Sequence, residues 1–182
     1  MIEAEIKGRK LRSENLLSTH IAELKTFDLI LDGRLVGRCH YFLGRGYYPP
    51  WIELDYDPWP RREQIEVDIF KVFFDLLKEN GRFFVTYYKD SSTFGAIMRG
   101  LSIADTELGR SLIRAGFTWF KNWYFPEGGN EGGMKVQANK NMDINVRKRH
   151  LTELLAEVKT PESRELIAEL LAQGQSRDRS LQ

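Results

Sequence analysis

Residues 51–89 read WIELDYDPWPRREQIEVDIFKVFFDLLKENGRFFVTYYK, and the way this stretch changes its period decides the fold class. Its opening alternates Ile52, Leu54 and Tyr56 with Glu53, Asp55 and Asp57, the two-residue period of a strand with one buried face. Pro58 and Pro60 end that strand, because proline has no N–H to give to a ladder. From Arg61 the apolar residues Ile65, Ile69, Phe73 and Leu77 recur at four-residue steps, so a stripe runs along a helix of about five turns. Asn80-Gly81 closes it. RFFVTYYK, Arg82–Lys89, is aromatic and β-branched and reads as a buried strand. Strand, helix and strand in this span make a β-α-β unit with parallel strands.

Toward the N-terminus, FDLILDGRLVGRCHYFL, Phe27–Leu43, holds two runs of strand formers around Asp32-Gly33, a pair that favours a two-residue hairpin turn with positive φ. Before it, LLSTHIAELK, Leu16–Lys25, has Leu17, Ile21 and Leu24 at helical spacing, and residues 1–15 are mostly polar, opening with a short strand or helix. Toward the C-terminus, SSTFGAIMRG is expected to form a short helical segment capped by Ser92. DTELGRSLIRAGF is expected to form an amphipathic helix from Thr106 that closes at Gly116. The aromatic stretch FTWFKNWYF then reads as a strand, and GMKVQANK, reached through the glycine-rich PEGGNEGG, as its partner. RKRHLTELLAEV and TPESRELIAELLAQ are helical, the second with Thr160 as N-cap and Pro161 in its first turn. Residues 1–145 are thus expected to form one α/β domain, 146–174 a helical appendage and 175–182 a disordered tail.

A chain of 182 residues with 42% hydrophobic and 29% charged residues suits one sizeable core. A net charge of +1 gives no global field to draw nucleic acid or a membrane surface. Nucleic acid is therefore not the expected partner, although KNWYF and GRGYYPPW mix cations with aromatics. The single cysteine, Cys39, has no internal disulfide partner, and one Cys with three His holds no zinc, so a reducing cytoplasm fits. No window approaches the roughly 18 apolar residues of a membrane span, and MIEAEIKGRKLRSE lacks the apolar run of a signal peptide.

Hairpin, strand, long helix, strand, shorter helix and two strands across a flexible connection, over residues 25–140, resembles the GNAT superfamily of acyl-CoA N-acyltransferases. RAGFTWF, Arg114–Phe120, is similar to that family's usual helix ending in Gly-Phe before its sixth strand. In this resemblance Phe27–Leu43 is the central antiparallel hairpin, Trp51–Asp57 the strand before the cofactor helix, and Arg82–Lys89 a strand splayed from it. GRFFVTYYKD, LGRSLIRAGFTWFKNWYFPEGGNEGGMK and the acidic strand also resemble, over nearly the whole chain, a small archaeal and bacterial family defined only as domain of unknown function 1122. The resemblance implies a GNAT-like α/β (α+β) fold, with a mixed, mainly antiparallel central sheet flanked by helices. It also implies transfer of an acyl group from acetyl-CoA, or another acyl-CoA, to a small amine. The sequence departs from the pattern at the cofactor loop: DPWPRREQ has no glycine and two prolines, where the family cradles a pyrophosphate on glycine N–H groups. Arg61 and Arg62 either hold that phosphate through forked hydrogen bonds or form a solvated helix start.

Other candidates follow from placement. Glu53, Asp55 and Asp57 share one strand face, where crowding raises carboxylate pKa values. Glu53 lies deepest and is the candidate base, the alternative being a solvent-facing edge. Tyr87 and Tyr88 near the strand's carboxyl end are candidate acids, the alternative being one core ring and one surface ring. Lys89, Asp90, Ser91, Ser92, Thr93 and Arg99 enrich the same end. Glu127, Asn130 and Glu131 sit among the glycines of a loop that closes over a ligand or is a bare hairpin. His20, His40 and His150 are scattered and form no nucleophilic set, and Cys39 reads as buried and inert. Leu151, Leu154, Leu155, Val158, Leu166, Leu170 and Leu171 pack on the domain or pair with a second copy in a homodimer. Two functions remain open: an N-acyltransferase with Glu53 as base and Tyr87 or Tyr88 as acid, or a non-catalytic ligand-binding or oligomerisation module.

Overall fold

The structure, a computed structural model, describes residues 2–6, 8–18, 24–42, 51–56, 63–87, 91–124 and 134–179. Its strands are β1 (Glu3–Ile6), β2 (Arg9–Ser18), β3 (Leu24–Leu31), β4 (Arg34–Phe42), β5 (Trp51–Tyr56), β6 (Arg82–Tyr87), β7 (Trp119–Tyr124) and β8 (Met134–Asn139). They form one mixed sheet in the order β1-β2-β3-β4-β5-β6-β8-β7. Every neighbouring pair is antiparallel except β5 and β6. The helices are α1 (Glu63–Leu76), α2 (Ser92–Met98), α3 (Glu107–Ala115), α4 (Ile144–Glu157) and α5 (Pro161–Arg179), with one 3-10 turn at Ile103–Asp105.

The opening stretch folds as the β-α-β unit its periods imply. β5 and β6 pair in parallel from Trp51↔Arg82 to Asp55↔Thr86, with no splaying over these residues. The continuations at 57–60 and 88–90 lie outside the described residues. The hairpin is also as read: Asp32 and Gly33 have φ of 49° and 78°, which the two-residue turn requires.

The N-terminal expectation is overturned. Leu16–Ser18 complete β2 and Leu24–Lys25 begin β3, in register as Leu17↔Thr26 and Ser18↔Lys25, so the ends of the segment read as a helix are strand. Residues 19–23 lie outside the described residues. Three leucine or isoleucine positions at helical spacing are a weak local preference, and pairing with the edge of an existing hairpin satisfies the backbone instead. Two smaller corrections concern helix ends. Ser91, not Ser92, caps α2 by accepting from Phe94 N at 3.1 Å. α5 continues to Arg179, through most of the stretch expected to be disordered, since one interior glycine at Gly174 costs a helix only about 1 kcal/mol.

Helices α1 and α3 cover one face of the sheet. From the sheet come Leu29, Cys39, Leu54, Phe83, Val85 and Val136; from the helices Ile69, Phe70, Phe73 and Leu112, all buried. Phe83 stacks on Phe73 at 5.1 Å and on Phe117 at 5.5 Å, and Phe74 meets Phe117 edge-on at 5.0 Å. A second cluster joins Leu151, Leu154 and Val158, then Leu166 and Ile167, to Ala104 and Ile113. These apolar stripes of α4 and α5 therefore pack on the chain's own domain.

Candidate functional site

Alternation along β5 sends Ile52 and Leu54 to the helix-covered face and Trp51, Glu53 and Asp55 to the opposite one. On that opposite face Glu53 stands between His40 of β4 and Phe84 of β6, with Gln137 of β8 beyond. Its side chain is 16% exposed, and its carboxylate forms an ion pair with Lys135 of β8. Asp55 lies across from Arg38, whose guanidinium donates to Asp28 at 3.0 Å. The acidic strand is thus interleaved with cations rather than being a cluster of carboxylates alone. Hydrogen bonds from the Asn15 amide and then from Arg38 hold Asp28 below the usual carboxylate range. Trp51 stacks on Phe42 at 5.8 Å and meets Phe84 edge-on at 6.0 Å, which builds an aromatic wall beside Glu53.

Tyr87 lies elsewhere. In parallel neighbours, residues at one level share a face, so Glu53 goes with Phe84 and Thr86 while Tyr87 goes with Phe83 and Val85. The phenol is 4% exposed, its hydroxyl has no hydrogen-bond partner among the described residues, and burial pushes its pKa up to about 12. Glu53 and Tyr87 therefore do not converge on one reacting atom. Tyr88, Arg61 and Arg62 lie outside the described residues, as do Asp57, Lys89, Asp90, His20, Glu127, Asn130 and Glu131. Arg99 is exposed at the end of α2, and Thr93 is buried in it. Cys39 is buried, and that burial raises its thiol pKa well above the usual value, which keeps it protonated and unreactive.

The register brings together one pair that the sequence scatters. Thr26 Oγ1 and His40 Nδ1 are 2.9 Å apart, and His40 is the direct partner of both Thr26 and Glu53 across three strands. Thr118 Oγ1 and His150 Nδ1 are more distant, at 3.5 Å. Burial lowers the His150 pKa, outweighing the carboxylate of Glu153, which raises it. Among the described residues no group of three or more His, Cys, Asp or Glu is placed to hold a metal ion. No helix among them is long and apolar enough to cross a membrane.

A cavity of about 480 Å³ opens on the helix-covered face, beyond the point where α1 stops at Leu76. Its floor is the cross-strand row Lys25, Tyr41 and Ile52 of β3, β4 and β5, with Phe27 beside it. Ile2, Leu16 and Leu76 extend the apolar wall; Ser13, Glu14 and Asn15 form the polar rim. The rim follows from a bulge. The β2 register shifts between Glu14 and Leu17, and Asn15 takes φ of 52°, a left-handed conformation that asparagine tolerates better than most residues. Sequence reasoning missed this cavity because part of its wall was assigned to a helix. The signal within the sequence was Asn15, a turn-prone residue interrupting an otherwise strand-compatible run.

The chain is similar to a protein of unknown function from Aquifex aeolicus VF5, whose crystal structure aligns with a TM-score of 0.68 at 29% identity. The alignment covers 97% of this chain and 93% of that one. No curated protein matches the chain. A family model for proteins of unknown function, DUF1122, matches residues 7–161, and the chain belongs to that family.

Proposed function

We propose that this chain is a GNAT-like domain that binds a small, largely apolar molecule in the cavity beside Lys25, Tyr41 and Ile52. The observation that carries the proposal is the cavity itself. Its volume of about 480 Å³ falls within the range of small-molecule sites, roughly 300–1,000 Å³, and apolar walls with a few polar groups at one rim are the usual composition of such sites. The bulged strand beside it supports the same reading, because bulges gather where a sheet is shaped around a site. Oligomerisation through the apolar stripes of α4 and α5 is less favoured, since Leu151, Leu154 and Leu166 are buried within the chain.

A second reading, an N-acyltransferase acting on a small amine with acetyl-CoA or another acyl-CoA, is favoured by the parallel β5-α1-β6 unit that continues into β7 and β8. In that reading Glu53 is the base, Tyr88 rather than Tyr87 is the acid, and Arg61 and Arg62 hold the phosphates. Glu53 would first have to release Lys135.

Thermal denaturation with a panel of small amphipathic molecules tests the first reading. At least one compound should raise the midpoint by several degrees, with the shift abolished by Leu76→Trp, which fills the cavity from its exposed rim. No shift with any compound sinks the reading. Calorimetric titration with acetyl-CoA and desulfo-CoA tests the second. Binding that weakens in an Arg61→Ala, Arg62→Ala double variant supports it, and no heat at millimolar cofactor retires it.

A further inference from the structure

We infer that the ligand of this cavity is a monoanion, an apolar chain ending in a carboxylate, and that Lys25 recognises its headgroup; the inference rests on the ligand-binding reading above. Lys25, Tyr41 and Ile52 are direct partners on adjacent strands, so the floor passes from an ammonium through a phenol to an aliphatic side chain. That is the polarity profile of an amphipathic acid laid across three strands. At the same rim the Ser13 hydroxyl accepts from Ile2 N at 2.9 Å, which leaves its own proton free to donate toward an acceptor.

The charges at the rim are unequal. Glu14 is a rim carboxylate, but Arg12 is ion-paired to it, so its charge is offset. Asn15 donates its amide to Asp28 at 3.0 Å, and Asp28 is also engaged by Arg38. No hydrogen bond or ion pair engages the Lys25 ammonium among the described residues. A ligand entering along the apolar wall therefore meets a positive charge uncompensated among the described residues, with the Tyr41 phenol on the adjacent strand and the Ser13 hydroxyl further along the cavity. A carboxylate gains a charge-assisted hydrogen bond there, an alcohol gains a neutral one, and an ammonium is repelled. The long stem of Lys25 also suits the role, because it can lie along apolar surface while its head stays at the rim.

Octanoate, octanol and octylamine share one tail and differ in headgroup, so calorimetric titration of the full chain with the three separates the headgroup from the cavity. Octanoate should bind roughly tenfold tighter than octanol, with no binding of octylamine. Lys25→Gln should bring octanoate down to the affinity of octanol and leave octanol unchanged. Leu76→Trp should abolish both, and Lys148→Gln on α4 should change neither. Equal affinity for octanoate and octanol, or equal weakening of both by Lys25→Gln, overturns the headgroup assignment and leaves the ligand-binding reading standing. Octanoate binding that survives Leu76→Trp places the acid elsewhere and overturns the inference. If none of the three binds, the cavity reading fails and this inference fails with it.

Discussion

A phenol at position 87 is buried on the face of β6 that the helices cover, its hydroxyl unpartnered among the described residues. An unsatisfied buried donor costs about 1–3 kcal/mol, so Tyr87→Phe is expected to leave stability unchanged or raise it by about 1 kcal/mol in urea denaturation. A loss of more than that would mean that the hydroxyl is bonded. The pH dependence has a definite sign. The folded phenol ionises near 12 and the unfolded one near 10.0. Between those values the unfolded chain has released a proton that the folded chain keeps, so stability falls as pH rises through this window. Tyr87→Phe should lack that component. Residue chemistry was legible in the sequence only where it is local. Asp32-Gly33 fixed the hairpin, and extrapolating that turn would pair Thr26 with Cys39. The structure instead has Thr26↔His40, because one extra residue in β4, Val36, shifts the ladder between Leu29 and Ile30. A bulge of this kind leaves no composition signal, and so the Thr26–His40 contact was hidden.

At the scale of elements, α3 was read nearly to the residue, from its Thr106 cap to Gly116, because caps are written in a few neighbouring side chains. The strands β1 and β2 were not, because their pairing with a distant hairpin is non-local. Two glycines within helices illustrate the same divide. In sequence, Gly95 and Gly109 look alike. In the fold, a Cβ on Gly109 would lie 1.8 Å from the carbonyl oxygen of Ile103, so only glycine lets α3 approach the preceding 3-10 turn. Gly109→Ala is expected to destabilise by about 3 kcal/mol as the helix is forced away. A Cβ on Gly95 would meet only the tip of Arg99 at 3.4 Å. Gly95→Ala should therefore stabilise by about 0.5–1 kcal/mol through reduced backbone entropy of the unfolded chain. Chemical denaturation of the two variants checks both signs, and a Gly109→Ala variant no less stable than the native chain would refute the packing argument at Gly109.

For the whole molecule, the question is how firmly the C-terminal helices belong to the sheet. Composition divides the chain near residue 145, yet the second apolar cluster draws Ala104 and Ile113 from one side of that division and Leu154, Val158 and Ile167 from the other. Asp105 ties the two sides by hydrogen bonds. One carboxylate oxygen accepts from Lys159 N at 2.9 Å, Thr160 N at 2.8 Å and Thr160 Oγ1 at 3.0 Å. The other accepts from Ser102 N at 3.3 Å. Ser163 Oγ adds a bond to Ala104 O at 2.8 Å. Burial alone would raise the Asp105 pKa, but the bonds from Thr160, Lys159 and Ser102 together outweigh it and hold the carboxyl below its usual value of 3.8. Its stabilisation is therefore present above that usual value and is lost as pH falls through the lower, folded pKa. The helices and the sheet should unfold in one transition at neutral pH. Asp105→Asn, which turns an acceptor-only group into one with two N–H donors facing other donors, should cost about 2–4 kcal/mol. It should also raise amide exchange in α4 and α5 before exchange in β5 and β6, and flatten the decline in stability below about pH 4. If those helices exchange no faster in the variant than in the native chain, the connection lies in the apolar cluster alone.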